Sequence, residues 1–167
     1  VAIQECDRRK LDKMTVTGSH QGIIAQGAAA EYKTIDDILE LAASRGEKPL
    51  LVLCDGLTDP HNLGAIIRTA ECAGAHGVIV QERRAVGLTP AAVKASAGAV
   101  EHLPVARVSN LGNTIIELQN KNIWVYAADM EGENYAQADL SGPVAIVIGN
   151  EGEGVGRRVL DVCDKTV

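Results

Sequence analysis

The chain has 167 residues and a net charge of -6, a length that suits one domain with at most a fragment of another. Mild acidity excludes nucleic-acid binding by bulk charge alone, though a local basic patch would suffice. With no Phe and a single Trp, any core must be built from Ala, Val, Ile and Leu.

Residues 1–30 have a texture of their own. Glu5 to Lys13 is charged, Thr15 to Ser19 is polar, and HQGIIAQ follows, in which Ile23 to Ala25 has the composition of one short strand. This is too little for a core, so it reads as the end of a domain whose body lies upstream, with a join at Ala28 to Ala30. The sequence opens at Val1 without an initiator Met, in what reads as an ongoing chain. Thr34 to Arg45 predicts an amphipathic helix. Thr34 is its cap, Ile35, Ile38, Leu39 and Ala42 form its apolar stripe, and Gly46 stops it.

Leu50 to Cys54 is apolar without alternation, as a strand buried on both faces requires. Asp55-Gly56 and Asp59-Pro60 break the chain, and Asn62 has the side chain to cap the next helix. Leu63, Ile66, Ile67 and Ala70 recur at helical spacing, Gly74 and Gly77 end the run, and Val78 to Val80 starts a second strand. Next come a charged turn, Glu82 to Gly87, and a helix capped by Thr89 with Pro90 at its first position. That helix ends in ASAGA, small enough for another backbone to approach. Leu103 to Val108 reads as a third strand, Ser109 as the start of a helix, and Ile123 to Ala128 as a fourth strand. An acidic loop spans Ala127 to Tyr135. Val144 to Ile148 is a fifth strand running into GNEGEGVG at 149–156. Val159 to Cys163 is a helical turn before the start of a sixth strand at the end of the sequence. Strand and helix alternate from residue 50 onward, which predicts a parallel α/β sheet covered by helices on both faces.

The four cysteines form no CxxC or Cys/His pair at ligand spacing, so buried reduced thiols in a cytoplasmic protein are expected, with no metal. No apolar run approaches the roughly 20 residues of a membrane span. The loop at 149–156 matches neither GxxxxGK[ST] nor GxGxxG. Glu151 and Glu153 within it would repel phosphate and suit a cationic or hydroxyl-bearing ligand. A solvated surface turn has equal standing from the loop alone. A dinucleotide-dependent oxidoreductase ranks low, because the turn after the first strand reads DGLTDPHN rather than a phosphate-binding glycine turn. Taken singly, Asn62 reads as a cap, Arg68 as an exposed partner of Glu71, Lys94 as a solvated helix residue, Asp55 as a cap for its own loop, and His61 and His76 as residues without ligand partners.

In combination these residues say more. NLGAIIRTA at 62–70 has the form N-x-G-x-x-x-R-x-A, and VIGNEGEGVG at 147–156 carries G-N-E-G. With DGLTDPHNLGAIIRTAECAG, KASAGAVEHLPVARV and the upstream HQGIIAQ, the chain resembles the SpoU (TrmH) family of RNA ribose 2′-O-methyltransferases, of the SPOUT superfamily. Within that family these stretches resemble members acting on guanosine of 23S rRNA.

The resemblance implies S-adenosylmethionine as methyl donor without a metal, RNA as acceptor, and a homodimer. Arg68 would stand at the reacting hydroxyl and contact RNA, Asn62 would position either the substrate or Arg68, and Glu151 would hold the second-motif loop with the RNA as a second possible neighbour. Ala127, Ala128, Asp129, Ile148, Gly149, Asn150 and Gly152 would line the cofactor site, and Lys94 would contact RNA. Residues 1–30 would end an L30e-like RNA substrate-binding domain. Residues 31–48 would be linker and helix, and 49–167 the SPOUT methyltransferase domain. The family's C-terminal trefoil knot draws on a third, Ser-Leu-Asn motif that falls after Val167, so an incomplete knot is expected. A tRNA substrate, or RNA binding without catalysis, is the alternative within the family.

Overall fold

The computed structural model describes residues 3–15, 20–24 and 31–167. Its elements follow in chain order: α1 (Arg8–Met14), α2 (Ile35–Arg45), β1 (Leu50–Cys54), α3 (Pro60–Cys72), β2 (Gly77–Gln81), α4 (Pro90–Ala95), β3 (Val105–Val108), α5 (Leu111–Asn120), β4 (Trp124–Ala127), β5 (Val144–Ile148), α6 (Arg157–Leu160) and β6 (Lys165–Thr166). The strands form one sheet in the order β3-β2-β1-β5-β4-β6, and every pairing is parallel.

Alternate residues of each buried strand serve two separate cores. Leu51, Leu53, Ile79, Val125, Ala145 and Val147 meet Ile38 of α2 and Leu111, Ile115 and Leu118 of α5 on one face. Val52, Cys54, Val78, Val80 and Val105 meet Leu63, Ile67 and Ala70 of α3 and Ala92 of α4 on the other. Each fully buried aliphatic side chain contributes about 1.5–3 kcal/mol, so a core without Phe relies on many modest contributions. The expected α/β sheet with helices on both faces is what forms.

Several local expectations need correction. α3 begins earlier than an Asn62 cap allows. Asp59 is the cap, accepting from the His61 N–H, and Pro60 occupies the first turn. Asn62 is thereby released from capping. The cap of α5 is Asn110, which accepts from the Asn113 N–H, rather than Ser109. β3 starts at Val105 because Pro104 has no N–H to give the ladder, although its carbonyl accepts from Val78 N at 3.0 Å. Gly77 opens β2 instead of ending α3, and a Cβ there would lie 2.5 Å from Ile38 Cδ1. The final helical turn sits at Arg157–Leu160 rather than Val159 to Cys163.

Near the start, α1 occupies most of the charged run. It buries no residue, so it has no apolar stripe for periodicity to reveal. Ile23 and Ile24 are not in a strand, while Ala25 and the join at Ala28 to Ala30 lie outside the described residues.

The thiols divide. Cys54 is buried and its pKa is pushed up to about 12 by burial, so it is inert as a nucleophile. Cys163 rises to about 11, chiefly by burial and then by the nearby Asp164 and Asp55 carboxylates. Cys6 and Cys72 are exposed, against the expectation of four buried thiols. Cys72 is the last residue of α3 and is not among the residues that helix buries.

Candidate active site

From β1 the chain winds outward through β2 to β3, then crosses the sheet through α5 to β4 and returns to β5 beside β1. After β1 the chain goes to α3 on one face, and after β5 to α6 on the other. This reversal opens a crevice at the carboxyl ends of β1 and β5, the place where open α/β sheets bind ligands.

Asp55 closes the floor of the crevice. Its N–H donates to Ile148 O at 2.8 Å, and its Oδ2 accepts from Gly156 N at 2.8 Å, across 101 positions of sequence. Only 8% exposed, it stitches the β1 end to the far end of the glycine loop. Sequence reasoning assigned it to its own following loop, since no local pattern reports a partner so distant.

The glycine loop is a folded turn. Asn150 N donates to Gly154 O at 3.1 Å and Gly154 N returns a bond to Asn150 O at 3.0 Å. Asn150 Oδ1 accepts from Gly152 N at 2.9 Å and Glu153 N at 2.8 Å. Gly154 takes a left-handed φ of 68°. Gly149 is packed so closely beneath it that a Cβ would overlap the Gly154 carbonyl and the Val155 nitrogen.

Asn62 joins the two motifs. Its Nδ2 donates to Glu151 Oε1, bridging the first turn of α3 to the loop after β5. Arg68 is not part of that bridge. It lies six positions beyond Asn62, about 9 Å along the helix axis and ~120° around it, and is exposed. Among the described residues it forms no ion pair with Glu71.

The residues expected at the cofactor are brought to one rim. Ala127 ends β4 in register with Val147, and Ala128 N donates to Val147 O at 2.9 Å. Asp129 Oδ2 lies 3.9 Å from where a Cβ on Gly154 would sit, so the β4 end faces the loop that carries Asn150 and Gly152. Ile148 is half-buried beside them. This rim, 127–129 and 148–154, holds the carboxylates of Asp129, Glu151 and Glu153 and no Lys or Arg. That donor set fits the sulfonium, amine and ribose hydroxyls of S-adenosylmethionine and disfavours a phosphate. Lys94 is exposed on α4, and no hydrogen bond or ion pair among the described residues ties it to the bridge. A groove of about 550 Å³ lies elsewhere, between α2, β3 and α5, and contains none of these residues.

Gly64 and Gln81, given no role of their own by the sequence, support the site, while His76 braces the opposite end of β1. Gly64 lets α3 approach α4 so closely that a Cβ would lie 2.6 Å from Ala92 O and collide with Ala95. The small ASAGA stretch thus finds its partner in the glycine of the first motif. His76 is buried, with Nδ1 accepting from Leu50 N at 3.1 Å, which leaves Nε2 to donate to Glu47 at 2.9 Å. Gln81 Oε1 accepts from Gly56 N at 2.9 Å and so fixes the turn after β1.

The chain is similar to known proteins in sequence and in fold. The sequence model of the SpoU rRNA Methylase family matches residues 49–167, and that of "RNA 2'-O ribose methyltransferase substrate binding" matches residues 1–33. The chain is 50% identical over 98% of its length to YacO of Bacillus subtilis (strain 168), whose name provisionally places it among TrmH family tRNA/rRNA methyltransferases, and covers 66% of that protein. It is 43% identical, over its whole length, to the 23S rRNA (guanosine-2'-O-)-methyltransferase RlmB of Haemophilus influenzae, of which it covers 68%. Among solved structures it is similar to the SpoU methyltransferase AviRb from Streptomyces viridochromogenes in complex with AdoMet. There the TM-score is 0.68 at 33% identity, over 72% of this chain and 48% of that one. The chain spans about two thirds or less of the length of several curated relatives it matches. With the family's sequence match over 49–167, the parallel sheet and both motifs at its switch point, the chain belongs to the SpoU rRNA methylase family.

Proposed function

We propose that the protein transfers a methyl group from S-adenosylmethionine to a ribose 2′-OH of 23S rRNA, with the crevice at β1 and β5 as its active site. The observation that carries this is the Asn62–Glu151 bridge, which ties the first motif to the glycine loop at the switch point. The name of the Haemophilus influenzae relative supports the RNA and the position on the ribose, and the AdoMet in the AviRb complex supports the donor. A tRNA acceptor is the second reading, favoured by the tRNA/rRNA scope of the YacO name.

Residues 1–30 are the end of an L30e-like substrate-binding domain, a division supported by the match over 1–33, and 31–48 connect it to the methyltransferase domain. The protein works as a cytoplasmic homodimer. No described helix is long and apolar enough to cross a membrane.

The donor's sulfonium supplies an already activated methyl group, so the protein's task is alignment and proton handling. Ala127, Ala128, Asp129, Ile148, Gly149, Asn150 and Gly152 hold the donor through backbone groups and carboxylates. An arginine side chain is a poor general base in proteins, so Arg68 has another task. It orients the acceptor hydroxyl and steadies the charge that develops on its oxygen. Asn62 is freed from capping by Asp59 and positions the acceptor, while Glu151 holds Asn62. Lys94 contacts the RNA backbone.

The test is the whole protein acting on deproteinised ribosomal RNA with methyl-labelled S-adenosylmethionine, followed by digestion to nucleosides. Label is expected in a 2′-O-methylnucleoside. Arg68→Ala is expected to slow transfer by about 10²-fold or more, as loss of a group that steadies developing charge does, while leaving donor affinity unchanged. Label on a base, or an Arg68→Ala variant with the parent rate, overturns the assignment.

A further inference from the structure

The loop between β2 and α4, residues 82–89, leaves the sheet at the carboxyl end of its strand, as the β1 turn does, and is tied to that turn. Val86 N donates to Leu57 O at 2.7 Å, beside the Gly56–Gln81 bond. Two more bonds anchor the loop: Glu82 N to Val108 O at 2.8 Å, and Leu88 N to the Tyr32 hydroxyl at 2.8 Å. Tyr32 is itself fixed, because the next residue, Lys33, donates its N–H to Val105 O at 2.9 Å. A Cβ on Gly87 would lie 2.5 Å from the Tyr32 hydroxyl, so the two segments are in close contact.

The charges on this loop are sorted. Its one acid, Glu82, faces Arg107 at 3.6 Å, and the Arg107 guanidinium lies 4.9 Å from the centroid of the Tyr32 ring. Arg83 and Arg84 are exposed, and among the described residues neither enters an ion pair. In a chain of net charge -6, two adjacent uncompensated arginines stand on a loop anchored at both ends beside the candidate site. Arg84 also holds a left-handed φ of 57°, a conformation that a side chain with a Cβ adopts at some cost. Planar guanidinium forks match phosphate oxygens bidentately and carry no base preference of their own.

We propose that loop 82–89 is an RNA-backbone contact, in which Arg83 and Arg84 take phosphodiester oxygens of the strand whose ribose is presented at α3. Tyr32, Leu57 and Val108 hold the loop in place for that contact. The proposal rests on the RNA reading of the site and adds to it a phosphate subsite separate from Arg68 and Lys94.

The test is fluorescence anisotropy of the whole protein with a labelled single-stranded RNA oligonucleotide over a series of sodium chloride concentrations. Two phosphate contacts on a single strand account for a slope of about 1.4 in log K against log[salt], at roughly 0.7 per contact. The double variant Arg83→Ala/Arg84→Ala is expected to lose about that much slope and at least tenfold in affinity at low salt. Arg83→Lys/Arg84→Lys is expected to keep the slope. An unchanged thermal midpoint and unchanged donor binding show that the variants are folded. If the parent binds the RNA and the alanine variant shows the same slope and affinity, the loop proposal is overturned and the active-site reading stands. If the parent binds no RNA, both fall.

Discussion

Gly149→Ala is expected to abolish S-adenosylmethionine binding and to lower stability. A Cβ at this position has no free direction, because the Gly154 carbonyl and the Val155 nitrogen already fill its place. The obstruction is backbone, which cannot rotate away as a side-chain end would. Either β5 shifts, which strains the central β1–β5 pairing, or the turn 149–154 opens. Opening is the cheaper course. It breaks the paired bonds between Asn150 and Gly154, displaces Glu151 from Asn62, and pulls Gly156 from Asp55. Overpacking of this kind costs about 1–3 kcal/mol and occasionally more, and the absence of a yielding neighbour places this case near the top. The checks are a thermal melt, with a fall of several degrees expected, and calorimetric titration of the donor, with loss of measurable heat expected. An unchanged affinity would mean that the loop is not part of the cofactor site.

Gly64→Ala is expected to destabilise the fold although alanine is the better helix former. In an exposed helix the exchange would gain about 1 kcal/mol. Here the added methyl meets Ala95 and comes within 2.6 Å of Ala92 O, so α3 and α4 must separate. That separation loosens the contact of Leu63 and Ile67 with the second core. A net loss of about 1–2 kcal/mol follows from the upper half of the overpacking range, about 2–3 kcal/mol against a backbone obstruction, less the propensity gain. At roughly 2–4 °C per kcal/mol for a chain of this size, the midpoint falls by about 2–8 °C. Ala95→Gly in the same chain is expected to restore part of the loss, since it removes the Ala95 Cβ and leaves the Ala92 carbonyl oxygen and the Ala95 backbone carbon. A variant at least as stable as the parent would show that the helices are not in this close contact.

The elements with a repeating local signal were legible in the sequence. β1, β2 and β5 are short apolar runs bounded by breakers, and α2 and α4 carry caps that the structure reproduces at Thr34 and Thr89. The two motifs and their chain order led to the family. What could not be read depends on partners far along the chain. Asp55 is a strand-end acid until Gly156 folds onto it. Gly64 is an ordinary helix glycine until Ala92 and Ala95 arrive, and Asn62 looks like a cap until Asp59 and Pro60 take that place. The helix α1 was missed because it buries nothing. Arg68 marks the opposite case: the motif names it, but among the described residues it enters no ion pair, and its proposed partner is the RNA.

The measurement closest to the central claim is hydrogen–deuterium exchange of the whole protein with and without S-adenosylmethionine. The account predicts added protection at 127–129 and 148–156, where the ends of β4 and β5 form the rim, and no change at residues 33–36 and 117–121 around the 550 Å³ groove. Protection confined to that groove, with none at the glycine loop, would contradict it.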